Sequence, residues 1–221
     1  MSVKPVNVEN IGPYSYMGGA VQGITTDTLL LADFVLPVPE GATVVDIGTG
    51  GGIIPLILAS RSPVKRIVGV DIMAGAALAA RLNVERNNLS SRIEIIECDY
   101  RVLPERFAPG TFTHVISNPP YMKASCGRIS VEKERAAARA EVFGSLAELA
   151  VVSAFLAGNS GSVYFVFPVK RLVEMISGLQ KAGLRPVRIK FVHSGQKKAC
   201  KIFLVEARAR GGLKVEEPVF L

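Results

Sequence analysis

A chain of 221 residues, 49% hydrophobic and 20% charged, can bury the core of one α/β domain and leaves little for disordered tails. Its mean hydropathy of +0.33 raises the question of a membrane, but the longest apolar stretches, Ile53–Ala59 and Val151–Ala157, are too short to span one. The opening residues carry no apolar signal core, and Cys98, Cys126 and Cys200 lie apart with no CxxC and no neighbouring histidine, so a cytoplasmic protein with neither disulfide framework nor metal site is expected. The net charge of +7 and the pI near 9.5 hint at a polyanionic partner. Two stretches are richest in cations: Lys123, Arg128, Lys133, Arg135 and Arg139, then Lys197, Lys198, Lys201, Arg208 and Arg210. Solvated surface charge is the competing explanation of both.

In chain order, Tyr14, Tyr16, Met17 and Gly18–Gly19 form a segment expected to fold over a ligand, and Thr26–Ala32 reads as a capped helix over a sheet edge or that ligand. Residues 1–40 are read as a leader packed on a domain of residues 41–221. Within that domain Thr43–Ile47, Arg66–Val70 and Arg92–Glu97 read as strands, followed by His114–Ser117, Ser162–Phe167, Pro186–Val192 and Lys201–Ala207. Helical spacing fills the intervals Gly52–Ser60, Ala74–Asn87, Lys133–Leu156 and Val169–Ala182. This alternation predicts a mostly parallel sheet with helices on both faces, and the last two strands, joined without a helix, predict an antiparallel hairpin.

The run Asp46-Ile-Gly48-Thr49-Gly50-Gly51-Gly52 joins the first strand to the first crossover helix. Such a turn lets backbone approach a ligand closely. It fits neither phosphate motif: GxGxxG from Gly48 would need glycine at Ile53, and no P-loop lysine is present. Asp46 would repel a pyrophosphate but attract a cationic ligand, whose own carboxylate could use backbone N–H groups near the helix start. Asp71 and Asp99 end the second and third strands, on the edge where open α/β sheets bind ligands. Taken singly, each aspartate could be a turn or helix cap.

Ser117-Asn118-Pro119-Pro120-Tyr121 leaves the fourth strand at the same edge. The prolines stiffen the segment and remove two backbone donors, so it presents acceptors. The Asn118 side-chain oxygen and the Pro119 carbonyl can each accept one N–H of an –NH₂ group, turning its lone pair towards an electrophile. Tyr121 offers a ring on which a planar base can stack. A proline-rich turn without chemistry is the bland alternative. His114 and His193 read as structural, and Cys126 has no evident base.

The glycine run from Asp46, Asp71 and Asp99 resemble the successive cofactor motifs of the class I S-adenosylmethionine-dependent methyltransferases, from about Thr43 to Tyr121. The resemblance implies a Rossmann-like seven-stranded sheet. It also implies S-adenosylmethionine held by Asp46, Gly48, Thr49, Gly50, Gly52, Asp71, Ile72, Asp99, Tyr100 and Asn118. Asp71 would then reach the ribose hydroxyls, Ile72 the adenine face and Asp99 the adenine amino group. Asn118, Pro119 and Tyr121 resemble the catalytic motif of amino-group methyltransferases. With Gln22–Ala32 and Ala138-Arg139-Ala140-Glu141, the chain is similar to the bacterial tRNA(Val) adenine-N6-methyltransferase family. That similarity implies a tRNA substrate, with Lys123, Arg128, Arg135 and Arg139 as phosphate contacts. The chain departs from the family at Ala140, where relatives tend to have histidine, which bears on substrate and not on the cofactor site. Ribosomal RNA, a protein glutamine, a small-molecule or hydroxyl acceptor, and a non-catalytic binding module remain as alternatives.

Overall fold

The computed structural model describes residues 6–7, 14–16, 24–119 and 144–221. Two short strands, β1 (Val6–Asn7) and β2 (Ser15–Tyr16), pair with each other apart from the main sheet. Helix α1 (Thr26–Val35) follows, and the Thr25 hydroxyl caps it by accepting the Thr28 N–H. The alternating core then runs β3 (Thr43–Ile47), α2 (Ile53–Arg61), β4 (Arg66–Asp71), α3 (Ala74–Arg86) and β5 (Ile93–Glu97). A 3-10 turn (Tyr100–Val102) and the short helix α4 (Leu103–Arg106) lead to β6 (His114–Ser117). The chain ends with α5 (Leu146–Ala157), β7 (Ser162–Pro168), a 3-10 turn (Val169–Arg171), α6 (Leu172–Lys181), β8 (Arg185–His193), β9 (Cys200–Arg208), β10 (Lys214–Val215) and β11 (Val219–Phe220).

The sheet order is β8-β9-β7-β6-β3-β4-β5, parallel except for β9, which runs antiparallel between β7 and β8. These are the seven strands expected from the sequence, with the antiparallel hairpin in its predicted place. Beyond these seven, β10 and β11 pair one after the other along the outer edge of β8 and bring the sheet to nine strands among the described residues. Two-residue strands carry no hydrophobic period, so nothing in the sequence marks them.

Side-chain alternation divides the core. Val44, Ile67, Ile116, Tyr164 and Leu204 face α1 and α2, whereas Val45, Val68, Val115, Phe165 and Val205 face α5 and α6. Most strand positions are apolar because both faces are covered. Helix α1 lies across the sheet face, with Phe34 edge-on to Tyr164 of β7, rather than along an edge. It is tied down by Arg188 of β8, which donates to the Phe34 carbonyl and stacks 4.0 Å above the Phe34 ring. Arg188 in turn pairs with the buried Glu206 at 3.0 Å and with Glu216 at 3.5 Å. Among the described residues no helix is long and apolar enough to cross a membrane.

Candidate active site

Beyond β3 the chain moves to β4 on one side; beyond β6 it moves to β7 on the other. The loops leaving β3 and β6 therefore diverge, and the gap between them is the switch point where sheets of this kind bind ligands. The Ser117 hydroxyl donates to the Ile47 carbonyl at 2.7 Å and clamps the two strand ends together. Asn118 and the glycine loop, far apart in sequence, thus start from adjacent points.

The loop is built by its own hydrogen bonds. Gly48 and Thr49 donate N–H to the Val70 carbonyl at 2.8 and 2.9 Å, and Gly52 donates to Thr49 at 2.9 Å. Gly48, Gly50 and Gly52 have φ of 76°, 57° and 83°, in the left-handed region that side chains other than glycine rarely adopt. The Asp71 carboxylate accepts from Gly50 N–H at 2.8 Å with one oxygen and from Met73 N–H at 2.9 Å with the other. Four loop amides, those of Gly48, Thr49, Gly50 and Gly52, are thereby engaged internally. Each Asp71 oxygen retains a second lone pair for a hydroxyl. Ile72, next to it, is half-buried.

Asp46 is the anomaly of the core. It is 1% exposed, and neither carboxylate oxygen has a hydrogen-bond partner among the described residues. Its strand neighbours in register are Gly69 and Ile116, which offer it nothing polar. Burial pushes its carboxyl up to about 7; the nearby Thr49 hydroxyl offsets part of this, and the Asp71 charge adds to it. The Thr49 hydroxyl is also buried, and though it has no partner at hydrogen-bond distance among the described residues, it is the polar group close enough to favour the Asp46 charge. Gly69 makes the room: a Cβ there would meet Ile95 Cδ1 at 2.7 Å and Thr49 Oγ1 at 3.0 Å.

Two supports behind the loop were not legible in advance. Asn83, on the buried register of α3 with Ala77 and Ala80, donates to the Gly51 carbonyl at 2.9 Å. An amide on an apolar helical face is the signal that could have found it. Tyr16 is the other. Its strand is pinned by Asn87, which accepts from Ser15 N–H at 2.9 Å and donates to the Ser15 carbonyl at 2.8 Å. The Tyr16 hydroxyl then rests against Gly51, where a Cβ would come within 2.3 Å of it. Part of the leader does reach the glycine loop; Met17 to Gly19 lie outside the described residues. Gly51→Ala should cost about 1–3 kcal/mol through overpacking against the buried ring. Tyr16→Phe should recover much of that loss, read as the urea midpoint of the two single variants and the double variant; no recovery would mean that the loop backbone and not the ring sets the cost.

Asp99 and Tyr100 sit differently from the picture of free ligands. Asp99 caps the 3-10 turn by accepting Arg101 N–H at 2.8 Å, and it also accepts the Arg101 guanidinium. Burial works against its ionisation, but these bonds outweigh it and hold the carboxyl below its ordinary value. Tyr100 is buried in the α5-side core, its hydroxyl against Gly144, and desolvation pushes its phenol up to about 12. Asn118 is half-buried, and its amide donates to Thr28 Oγ1 on α1 at 2.9 Å. Thr28 Oγ1 lies 2.9 Å from Thr25 Oγ1, so the capping residue, Thr28 and Asn118 form one chain of hydrogen bonds. Pro119 ends the described stretch. Tyr121, Lys123, Arg128, Arg135, Arg139, Ala140 and Cys126 lie outside the described residues.

Comparison with known proteins is consistent with this architecture. Residues 22–158 match the family described as "Methyltransferase small domain". The chain belongs to that family. A tRNA1(Val) (adenine(37)-N6)-methyltransferase of Pedobacter heparinus is 32% identical over 186 residues, covering 81% of this chain and 74% of its own length. The enzyme of the same name from Proteus mirabilis is 38% identical over 114 residues, covering 51% of this chain and only 44% of that protein. Among solved structures, a predicted O-methyltransferase of Agrobacterium tumefaciens superposes with a TM-score of 0.68 at 20% identity, over 88% of this chain and 87% of that one. A ribosomal protein L11 methylase of Lactobacillus delbrueckii subsp. bulgaricus gives 0.62 at 18% identity, over 88% and 84%. At such identities the structural likeness establishes the Rossmann-like fold, common to enzymes with different acceptors.

Proposed function

We propose that this small-domain family member transfers a methyl group from S-adenosylmethionine to the exocyclic amine of an adenine in tRNA. The observation that carries the reading is the pairing, at one switch point, of an unpartnered buried carboxylate with a strand-end asparagine. A carboxylate without any partner is unfavourable in a folded protein unless a cation joins it. S-adenosylmethionine carries cationic groups, and its methyl sits on a positively charged sulfur. Asp46 would neutralise the cationic end, with Thr49 beside it. Asp71 would accept from the ribose hydroxyls with its remaining lone pairs, and Ile72 would flank the adenine. Asp99 is the weaker contributor, because Arg101 already occupies it. No general base is required: an –NH₂ held by two acceptors, Asn118 Oδ1 and the Pro119 carbonyl, is oriented with its lone pair towards the electrophile. Rate then comes from positioning and electrostatics. Tyr121 would stack on the base once it has left its helix.

The tRNA acceptor is supported by the relatives' names and by the basic pI of about 9.5. The test is transfer of tritium from labelled S-adenosylmethionine to unmodified tRNA, ribosomal RNA and release-factor protein in parallel. Label in tRNA, recovered as N6-methyladenosine after nucleoside digestion, is the expected outcome. Label confined to another acceptor would keep the cofactor chemistry and discard the substrate.

A further inference from the structure

The second cation-rich stretch divides once the strands are placed. Strand β9 runs antiparallel to β7, so Arg208 and Arg210 go to the amino edge of the parallel strands, away from Asn118. Lys197, Lys198 and Lys201 go to the carboxyl edge, at the tip of the β8–β9 hairpin. Ile202 pairs with Pro168, so Lys170 in the turn after β7 joins them there. All four lysines are exposed, and none lies within ion-pairing distance of a carboxylate among the described residues. Arg61, Arg66, Arg101 and Arg171, by contrast, are each paired.

The cluster lies on the same edge of the sheet as Asn118. Asn118 bonds to Thr28, and the neighbouring Asp27 carboxyl, raised by burial, is drawn down by the Lys201 charge. The hairpin tip is also held in shape. Lys198 donates N–H to the Gly195 carbonyl at 3.1 Å, and its own carbonyl meets His193 Nδ1 at 2.9 Å. Leu221 donates N–H to the His193 carbonyl at 3.0 Å, so β11 braces the base of the tip. A braced loop loses less conformational freedom when it binds.

We propose that the β8–β9 hairpin tip, with Lys170, is a phosphate-binding rim that grips the RNA strand beside the target base. It rests on the RNA reading above and extends it to a surface and a mode of contact. The lysines act as point charges that neutralise phosphates, which sets position and affinity without reading sequence. Such contacts matter when a base must be drawn out of its stack, because the flanking backbone has to be held while the base enters the crevice.

The test compares two triple variants of equal charge change. Lys197→Ala with Lys198→Ala and Lys201→Ala removes three charges from the carboxyl edge; Lys181→Ala with Arg185→Ala and Arg210→Ala removes three from the amino edge. The carboxyl-edge variant should raise the KM and Kd for tRNA about tenfold or more at moderate salt and lower the slope of log affinity against log salt by about 2–3. Its cofactor affinity and its kcat at saturating tRNA should stay within about twofold, since no lysine is assigned to the chemistry. The amino-edge variant should bind and turn over as wild type does. Equal losses in both variants would reduce the effect to net charge and overturn the rim. So would an unchanged KM in the carboxyl-edge variant of an enzyme that does methylate tRNA, and that result would leave the RNA reading standing. Wild-type protein that neither binds nor methylates tRNA would remove both.

Discussion

Asp46→Asn should make the protein more stable at pH 8, by about 2–4 kcal/mol, while abolishing cofactor binding. A carboxyl whose ordinary value is near 3.9 and whose folded value is about 7 titrates about 3 units higher in the native state. At 1.36 kcal/mol per unit this is a penalty of about 4 kcal/mol, of which the asparagine keeps a part by burying an amide. The sign follows from linkage. Below about pH 4 the group is neutral folded and unfolded, and no penalty exists. Between pH 4 and 7 the unfolded chain ionises and the native state does not, so stability falls as pH rises. Above pH 7 the penalty is complete. Thermal melts of wild type and variant should therefore converge at pH 4 and separate at pH 8; identical midpoints at pH 8 would show that Asp46 ionises without cost. The same group makes binding of a cationic ligand expel a proton near neutrality, so wild-type cofactor affinity should fall about tenfold per unit below pH 7. Titration calorimetry in buffers of different ionisation enthalpy would count that proton.

Asn118→Ala should lower kcat by about 10²–10³, the range seen when one preorganised polar contact to a reacting centre is lost, with cofactor affinity kept within a few-fold. Thr28 gives this prediction a second arm. Because the Asn118 amide donates to Thr28 Oγ1, the sense of the amide is fixed, and its oxygen is turned away from α1. Thr28→Val removes that anchor at constant volume and should cost about tenfold in kcat with little change in KM. Thr28→Ser should restore the rate, and in the Asn118→Ala background the Thr28→Val cost should vanish. A valine variant as active as wild type would show that the leader helix plays no part in orienting the asparagine.

The fold was legible because the central strands are short apolar runs rich in β-branched residues and most of the crossovers have helical spacing; the one from β5 to β6, with a 3-10 turn and a four-residue helix, does not. The positions of Asp46, Asp71 and Asn118 followed from that, since each lies at or next to the carboxyl end of a strand. What the sequence could not convey was how each carboxylate is occupied. Asp99 looks as free as Asp46 in one dimension, yet Arg101 two residues later takes it, whereas Asp46 is left alone because Gly69 and Ile116 flank it. That distinction depends on register between strands, which a linear reading does not contain. The supports of the loop were hidden for the same reason: Tyr16 and Gly51 are distant in sequence and meet only when β2 is pinned to α3 by Asn87. The cap of the leader helix is legible at Thr25–Thr28, but its hydrogen bond to Asn118 spans 90 residues and leaves no local mark.

The C-terminal pairings have a consequence for the solubility of the chain. Strand β8 is nine residues long and would otherwise end the sheet with an open row of backbone donors and acceptors, the template on which chains stack into aggregates. Strands β10 and β11 cap that row with two residues each, and Pro218 falls between them, so the new rim is broken and offers little for another molecule to extend. Lys190 and Arg188, both joined to Glu216, fasten the cap from beneath. Strands β10 and β11 thus shield the outer edge of β8 from pairing with another copy, three strands away from β6, where Asn118 begins its loop.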